Sequence, residues 1–311
     1  MSVQAPSAVV LIRPRHFAPN GATAIDNVFQ SLDPFRTPDE IARDAYDEVT
    51  GVAEALRQAG VAVHLFEDAD GDRPDAVFPN NWFSTHTGGR VAVYPMYSSS
   101  RRSERRADVI ETLKREYRVQ DIIDYSGLEY DDIFLEGTGA MVLDHTNRVA
   151  YVARSHRADP LALERFCTHF GYEPMAFDAT DASGVAVYHT NVMMCIATDF
   201  TMIGLDMIRS DARRNEVAAR LTAPGRELIN LSHDQIAAFA GNAIELQGAG
   251  GRILALSETA NAALTAAQRA IIERSCSILA LRVPTIELAG GSVRCMIAGI
   301  HLDPRGRGCS G

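Results

Sequence analysis

Residues 139–170 read GAMVLDHTNRVAYVARSHRADPLALERFCTHF. Gly139 to Leu143 and Arg148 to Ala153 are apolar runs set around the turn Asp144 to Asn147, a pattern that predicts two strands joined as a hairpin. Asp159 to Phe170 follows with helical spacing, and Pro160 falls in the first turn, where its missing N–H costs nothing. Before this stretch, Ser103 to Tyr117 reads as a helix and Gln120 to Asp124 as a strand, while Ala76 to Phe78 and Arg90 to Tyr94 flank Gly88-Gly89 as another expected hairpin. Further out, a strand at Ala8 to Ile12 precedes a helix over Asp39 to Ala59. That helix has Ile41, Ala45, Val49, Val52, Ala55 and Leu56 on one stripe and Gly60 as its stop, and a strand at Val61 to Phe66 follows.

After the quoted stretch, strands are expected at Val185 to His189, Val192 to Thr198, Thr201 to Gly204 and Arg252 to Ser257. Helices are expected at Asp211 to Leu221, Ser232 to Ala240 and Thr265 to Ser275, and Ile278 to Val283 and Arg294 to Ile297 close the chain as strands. The order of elements recurs about five times although the residues do not visibly repeat. A recurring supersecondary unit suggests radial or stacked packing around shared cores. The class is α/β, and without a linker or a compositional break residues 1–311 read as a single domain. A doubly wound sheet is the alternative, but no Gly-rich phosphate loop follows an early strand, so nucleotide binding is poorly supported.

Of the 311 residues 46% are hydrophobic and 23% charged, and the formal net charge of −10 argues against nucleic acid as a partner. The local basic run Arg101, Arg102, Arg105 and Arg106 reads as a solvated helix start. No signal peptide or membrane span is apparent. Five cysteines without metal-ligand or disulfide spacing point to a reducing, cytoplasmic setting without structural zinc or a disulfide framework. Cys195 and Cys276 read as core. The tail after Pro304 reads as flexible and its Cys309 as incidental. The oligomeric state is open, a homo-oligomer included.

Four segments carry possible chemistry. Gly290-Gly291-Ser292-Val293-Arg294-Cys295-Met296 places a thiol behind two glycines, where backbone can approach a ligand; the plainer alternative is a buried cysteine on a terminal strand. His189, at an expected strand end, has the chemistry of a general acid and base, or of a satisfied polar group. Glu136, in Phe134-Leu135-Glu136-Gly137-Thr138-Gly139, is a carboxylate able to grip a planar cation or orient a histidine, or merely a turn residue. Phe78-Pro79-Asn80-Asn81-Trp82 sets two asparagines beside the only tryptophan, either as a pocket wall or as a packed turn.

In this order the four segments resemble the guanidine-modifying superfamily, the pentein fold of arginine deiminases, dimethylarginine hydrolases and amidinotransferases, and are closest to citrulline-utilisation hydrolases. The resemblance runs from near residue 8 to near residue 304. It implies a five-bladed pseudosymmetric ββαβ propeller with a central site, Cys295 as nucleophile, His189 as acid and base, and Glu136 as a binding carboxylate. Glu136 and Asn81 would hold the planar group, with Asn80, Asn191 and Phe78 as further substrate-binding residues, and no metal or organic cofactor is needed. Arg90 and Arg157 are the arginines expected to meet the α-carboxylate of a small amino-acid substrate. Where deiminases carry aspartates, this chain has Asn81 and Asn191, and a Glu-Gly-Gly-Asp motif ends in Gly139. Each change removes negative charge, and asparagine both donates and accepts. The expectation is therefore a neutral ureido substrate: citrulline converted to ornithine, ammonia and carbon dioxide by a cysteine-dependent hydrolase of C–N bonds. Arginine dihydrolase, deiminase or dimethylarginine hydrolase activity is the near alternative and amidinotransfer a further one. The fold also includes non-catalytic members such as a ribosome anti-association factor.

Overall fold

In the computed structural model, described for residues 3–21, 29–31 and 33–306, the chain forms five three-stranded sheets. Four of them are consecutive in sequence: β3 (Phe83–His86), β4 (Arg90–Val93), β5 (Asp121–Asp124); β6 (Val142–Asp144), β7 (Val149–Ala153), β8 (Glu173–Phe177); β9 (Met194–Ile196), β10 (Phe200–Ile203), β11 (Glu227–Asn230); and β12 (Ile244–Gly248), β13 (Gly251–Ser257), β14 (Ser277–Leu281). The fifth is closed by both ends of the chain, β15 (Ala298–Gly299) pairing antiparallel with β1 (Ala8–Pro14), which pairs parallel with β2 (Ala62–Asp68). Every unit is an antiparallel pair followed by a helical crossover to a parallel third strand. The first strands of neighbouring units lie against one another, β15 on β3, β6 on β9 and β9 on β12. This is the expected five-bladed ββαβ arrangement.

The helix Pro38–Gln58 shows how sequence builds one blade. A Thr37/Glu40 capping box satisfies its first N–H groups, and Ile41, Ala45, Val49, Val52, Ala53 and Leu56 pack on Val9 and Leu11 of β1. Burying Leu56 alone contributes about 1.5–3 kcal/mol. The helix stops at Gly60, whose φ of +85° and contact with Ala249 leave no room for a Cβ.

Several local expectations are corrected. The partner of β4 is Phe83–His86, with Gly88 and Gly89 at φ +82° and +74° in the turn; Ala76–Phe78 pairs with nothing and leads into the 3-10 turn Pro79–Asn81. Gly139 lies in a helical turn, Gly137–Ala140, and the strand starts at Val142. Residues 185–189 hold only the single bridge Thr180↔Ala186. Arg294–Ile297 is not a strand, because Val293–Met296 makes one helical turn. The helix expected from Ser103 begins at Ala107 after the 3-10 segment Ser99–Glu104. Strands of three to five residues carry too few side chains to show a period, which is also why β8, β11 and β12 gave no signal. Cys309 lies outside the described residues, and Arg305 is tied down by a backbone bond to Glu116. No helix among the described residues is long and apolar enough to cross a membrane.

Candidate active site

A short turn precedes the first strand of every blade, and these five turns meet on the axis. They carry Asn81, Gly139, Asn191, Asn242 and Cys295, each followed by two apolar residues that enter the core: Trp82-Phe83, Ala140-Met141, Val192-Met193, Ala243-Ile244 and Met296-Ile297. The apolar pair anchors the turn, so the preceding residue is held on the axis. Gly137 and Gly241 allow close contact between turns, since a Cβ on either would strike backbone of the neighbouring one, at Asn80 and Val192 respectively.

Beside this ring lies a narrow cavity of about 20 Å³. Asp75, Phe78, Asn81, Arg101, Arg157, Tyr188, His189 and Cys295 line it. His189 Nε2 is 2.7 Å from Glu136 Oε2, which also meets Arg157 Nη1 at 3.3 Å, while Glu136 Oε1 accepts the Tyr97 N–H at 3.0 Å. Burial alone would raise the Glu136 pKa, but the charge of Arg157, the His189 bond and Arg101 together hold it well below the usual carboxylate range. Burial lowers the His189 pKa, and Glu136 opposes that shift. Thr190 fixes the histidine turn by donating to Ala140 O and accepting the Ala153 N–H at 2.7 Å.

Cys295 is 4% exposed, and its Sγ receives the side-chain amides of Asn191 and Asn242, both at 3.2 Å. Asn80 donates to the Cys295 carbonyl. Gly291 lies so close to Phe78 that a Cβ would sit 2.7 Å from its ring. Cys167, Cys195 and Cys276 are buried as well, and burial pushes their thiols up to about 12.

The structure thus brings together Cys295, His189, Glu136, Phe78, Asn80, Asn81, Asn191 and Arg157. It does not bring in Arg90, which sits at the outer end of β4, donating to His169 O and lying over Phe170. The second arginine of the cavity is Arg101, from the run expected on the surface. It is 3% exposed and binds Glu104 through Nε at 2.9 Å and Nη2 at 2.8 Å, and with the Asn81 amide turned so that both its ends are satisfied, Nη1 donates to the Asn81 side-chain oxygen at 2.8 Å. A run of four arginines reads as solvent-facing because sequence does not show which one has a buried carboxylate. Asp75 was also missed. Buried at 3% and held by Asn20 at 2.7 Å, it restores a carboxylate to a wall expected to have lost its charge. Gly139 shows why the motif ends without one: a Cβ there would overlap the Asn81 amide and come within 3.0 Å of the His189 ring.

The sequence profile described as "N,N dimethylarginine dimethylhydrolase, eukaryotic" matches residues 13–302. No curated protein matches the chain. Among solved structures, it resembles the substrate-bound N-terminal domain of ArgZ, an arginine dihydrolase from the ornithine-ammonia cycle in Cyanobacteria. The TM-score is 0.72 at 15% identity over 95% of this chain and 98% of that one. Unliganded AgrE superposes with TM-score 0.74 at 16% identity, over 96% of this chain but 40% of the longer AgrE chain. A dimethylarginine dimethylaminohydrolase variant carrying an S-methyl-L-thiocitrulline adduct gives 0.63 at 14% identity over 96% of this chain and all of that one. At such identities these likenesses establish the fold, while the profile spans nearly the whole sequence. The chain belongs to the N,N-dimethylarginine dimethylhydrolase family of the pentein superfamily, hydrolases that act on guanidino C–N bonds.

Proposed function

We propose that this protein hydrolyses the guanidino group of arginine or an N-methylated arginine through a covalent intermediate on Cys295. One observation carries the reading: a thiol and an imidazole face the same small buried cavity, the imidazole held by a buried carboxylate and two arginines beside it. In this mechanism Cys295 Sγ attacks the guanidino carbon and His189 protonates the departing nitrogen. Water then adds to the S-linked carbon with His189 as base, and the thiolate leaves. Glu136 orients His189, because its 2.7 Å bond fixes which ring nitrogen faces away from the cavity carbon.

Asp75 supplies the negative charge that a guanidinium requires. Arg157, with its guanidinium 5.1 Å above the Tyr188 ring, is the partner for the α-carboxylate, and Arg101 is a fixed cation behind it. The presence of Asp75 in the cavity wall favours a cationic substrate over the neutral one expected from the asparagines alone.

A second reading has its own support. Asn191 Oδ1 is buried without a partner, and an amide acceptor suits the NH₂ of a ureido group as well as that of a guanidinium. The same site would then carry citrulline on to ornithine, ammonia and carbon dioxide, as a dihydrolase. Incubation with arginine, its N-methylated forms and citrulline, with ammonia, methylamines, citrulline and ornithine quantified against Cys295→Ala, tests both readings. Citrulline as the sole amino-acid product supports the first and ornithine the second. No turnover of any of them overturns both.

A further inference from the structure

The amides on Cys295 Sγ have orientations set by their neighbours. Asn80 Nδ2 donates to the Cys295 carbonyl, so Asn80 Oδ1 is the atom turned to Asn191 Nδ2 at 3.4 Å, and Thr138 Oγ1 donates to it at 3.3 Å. Asn242 Nδ2 donates to the Asn191 carbonyl at 3.0 Å, and Asn242 Oδ1 accepts the Arg294 N–H at 3.0 Å. Turning Asn242 over would set carbonyl against carbonyl and N–H against N–H, so Sγ meets two donors. Asn80, Asn191 and Asn242 are all 0% exposed, so these groups are desolvated and aimed. Asn242 holds in the β12–β14 blade the place that Asn81, Gly139, Asn191 and Cys295 hold in the others, yet it does not line the substrate cavity.

We infer that Asn242 is a catalytic residue whose amide N–H, with that of Asn191, stabilises Cys295 as the thiolate. The inference rests on the nucleophilic role proposed for Cys295. The Sγ electron pair forms the C–S bond while the C=N π pair moves to nitrogen. The C–N bond breaks as the leaving nitrogen takes its proton from protonated His189, and water adds to the carbon, giving a proton back to His189. The C–S bond then breaks and its electron pair returns to Sγ, while the C=O bond forms and the hydroxyl proton passes to the released amine. At the start and the end of this cycle the sulfur bears full negative charge, and preorganised buried donors are most effective there. In the S-linked intermediate the sulfur is a weak acceptor, so the amides favour the return of the pair to Sγ.

The test separates Asn242 from the substrate assignment. Alkylation of Cys295 by iodoacetamide at fixed pH without substrate, followed by peptide mass spectrometry, reads the sulfur alone. Asn242→Asp keeps the shape and the acceptor for Arg294 while removing the donor, and Asn242→Ala removes both. Both variants are expected to alkylate roughly 10- to 100-fold more slowly, the range of one charge-assisted hydrogen bond. The kcat should fall in parallel, with KM within about threefold, since the group does not line the cavity. Comparison is made on variants with native circular dichroism, and Asn242→Asp decides the matter should Asn242→Ala not fold. Alkylation within twofold of wild type in a folded variant overturns the inference. If wild type turns over no guanidino or ureido compound, the functional reading fails while alkylation still decides the role of Asn242.

Discussion

Replacing Glu136 by glutamine changes two oxygens into an oxygen and an NH₂ group inside a fully buried site. The Tyr97 N–H at 3.0 Å can keep the oxygen, so the new NH₂ falls where Oε2 now meets His189 at 2.7 Å and Arg157 at 3.3 Å. That sets a donor against a guanidinium and against an imidazole N–H. His189 relieves the clash only by moving its proton to the other ring nitrogen. Arg157 loses the Glu136 carboxylate, and breaking a buried ion pair from one side costs about 3–5 kcal/mol. The expected loss of unfolding free energy at pH 7 is of that order, read from urea denaturation with an unchanged m value. The effect depends on pH. Because the folded-state pKa of Glu136 is depressed, its contribution is present above the unfolded value of about 4.3 and fades as pH falls towards the folded value. The gap between wild type and Glu136→Gln should therefore narrow below about pH 4. Burial that lowers the His189 pKa also loses its main opponent, so the limb of the kcat/KM profile assigned to His189 should move to lower pH. A variant within 1 kcal/mol of wild type at pH 7, with the profile unmoved, would refute the reasoning.

Arg157→Ala should raise KM for arginine roughly 10- to 100-fold, the worth of a charge-assisted bond, whereas Arg90→Ala, outside the cavity, should leave it within about twofold; steady-state kinetics on both decide the carboxylate partner. Gly291→Ala places a methyl 2.7 Å from the Phe78 ring and 3.2 Å from the Cys295 Cβ, so it should destabilise by about 1–3 kcal/mol and shrink the cavity, measurable as a lowered urea midpoint with a raised KM. Thr37→Ala opens the capping box of the longest described helix, far from the chemistry; about 1 kcal/mol of stability should go while kcat/KM stays unchanged.

The sequence by itself determined the α/β class and placed the longer helices, because amphipathic helices such as Pro38–Gln58 and Pro160–Phe170 show their period and glycine stops openly. It also determined the four segments around Asn81, Glu136, His189 and Cys295, since glycines and polar residues interrupting apolar runs stand out in one dimension. Only the tertiary structure decided which polar residues join them. Asn242 has the same local setting as Asn191, an asparagine before two apolar residues, but in Gly241-Asn242-Ala243 nothing in one dimension shows that the β12–β14 blade brings it onto Sγ. Arg101 and Arg90 could not be sorted by sequence, because burial of a charge depends on a partner from another segment. Arg101 finds Glu104, Asp75 and Asn81 inside, while Arg90 finds a helix C-terminus and the Phe170 ring at the rim. The one-turn helices at Gly137–Ala140 and Val293–Met296 read as strand residues for the same reason: their apolar side chains are dictated by burial on the axis, and burial permits either conformation.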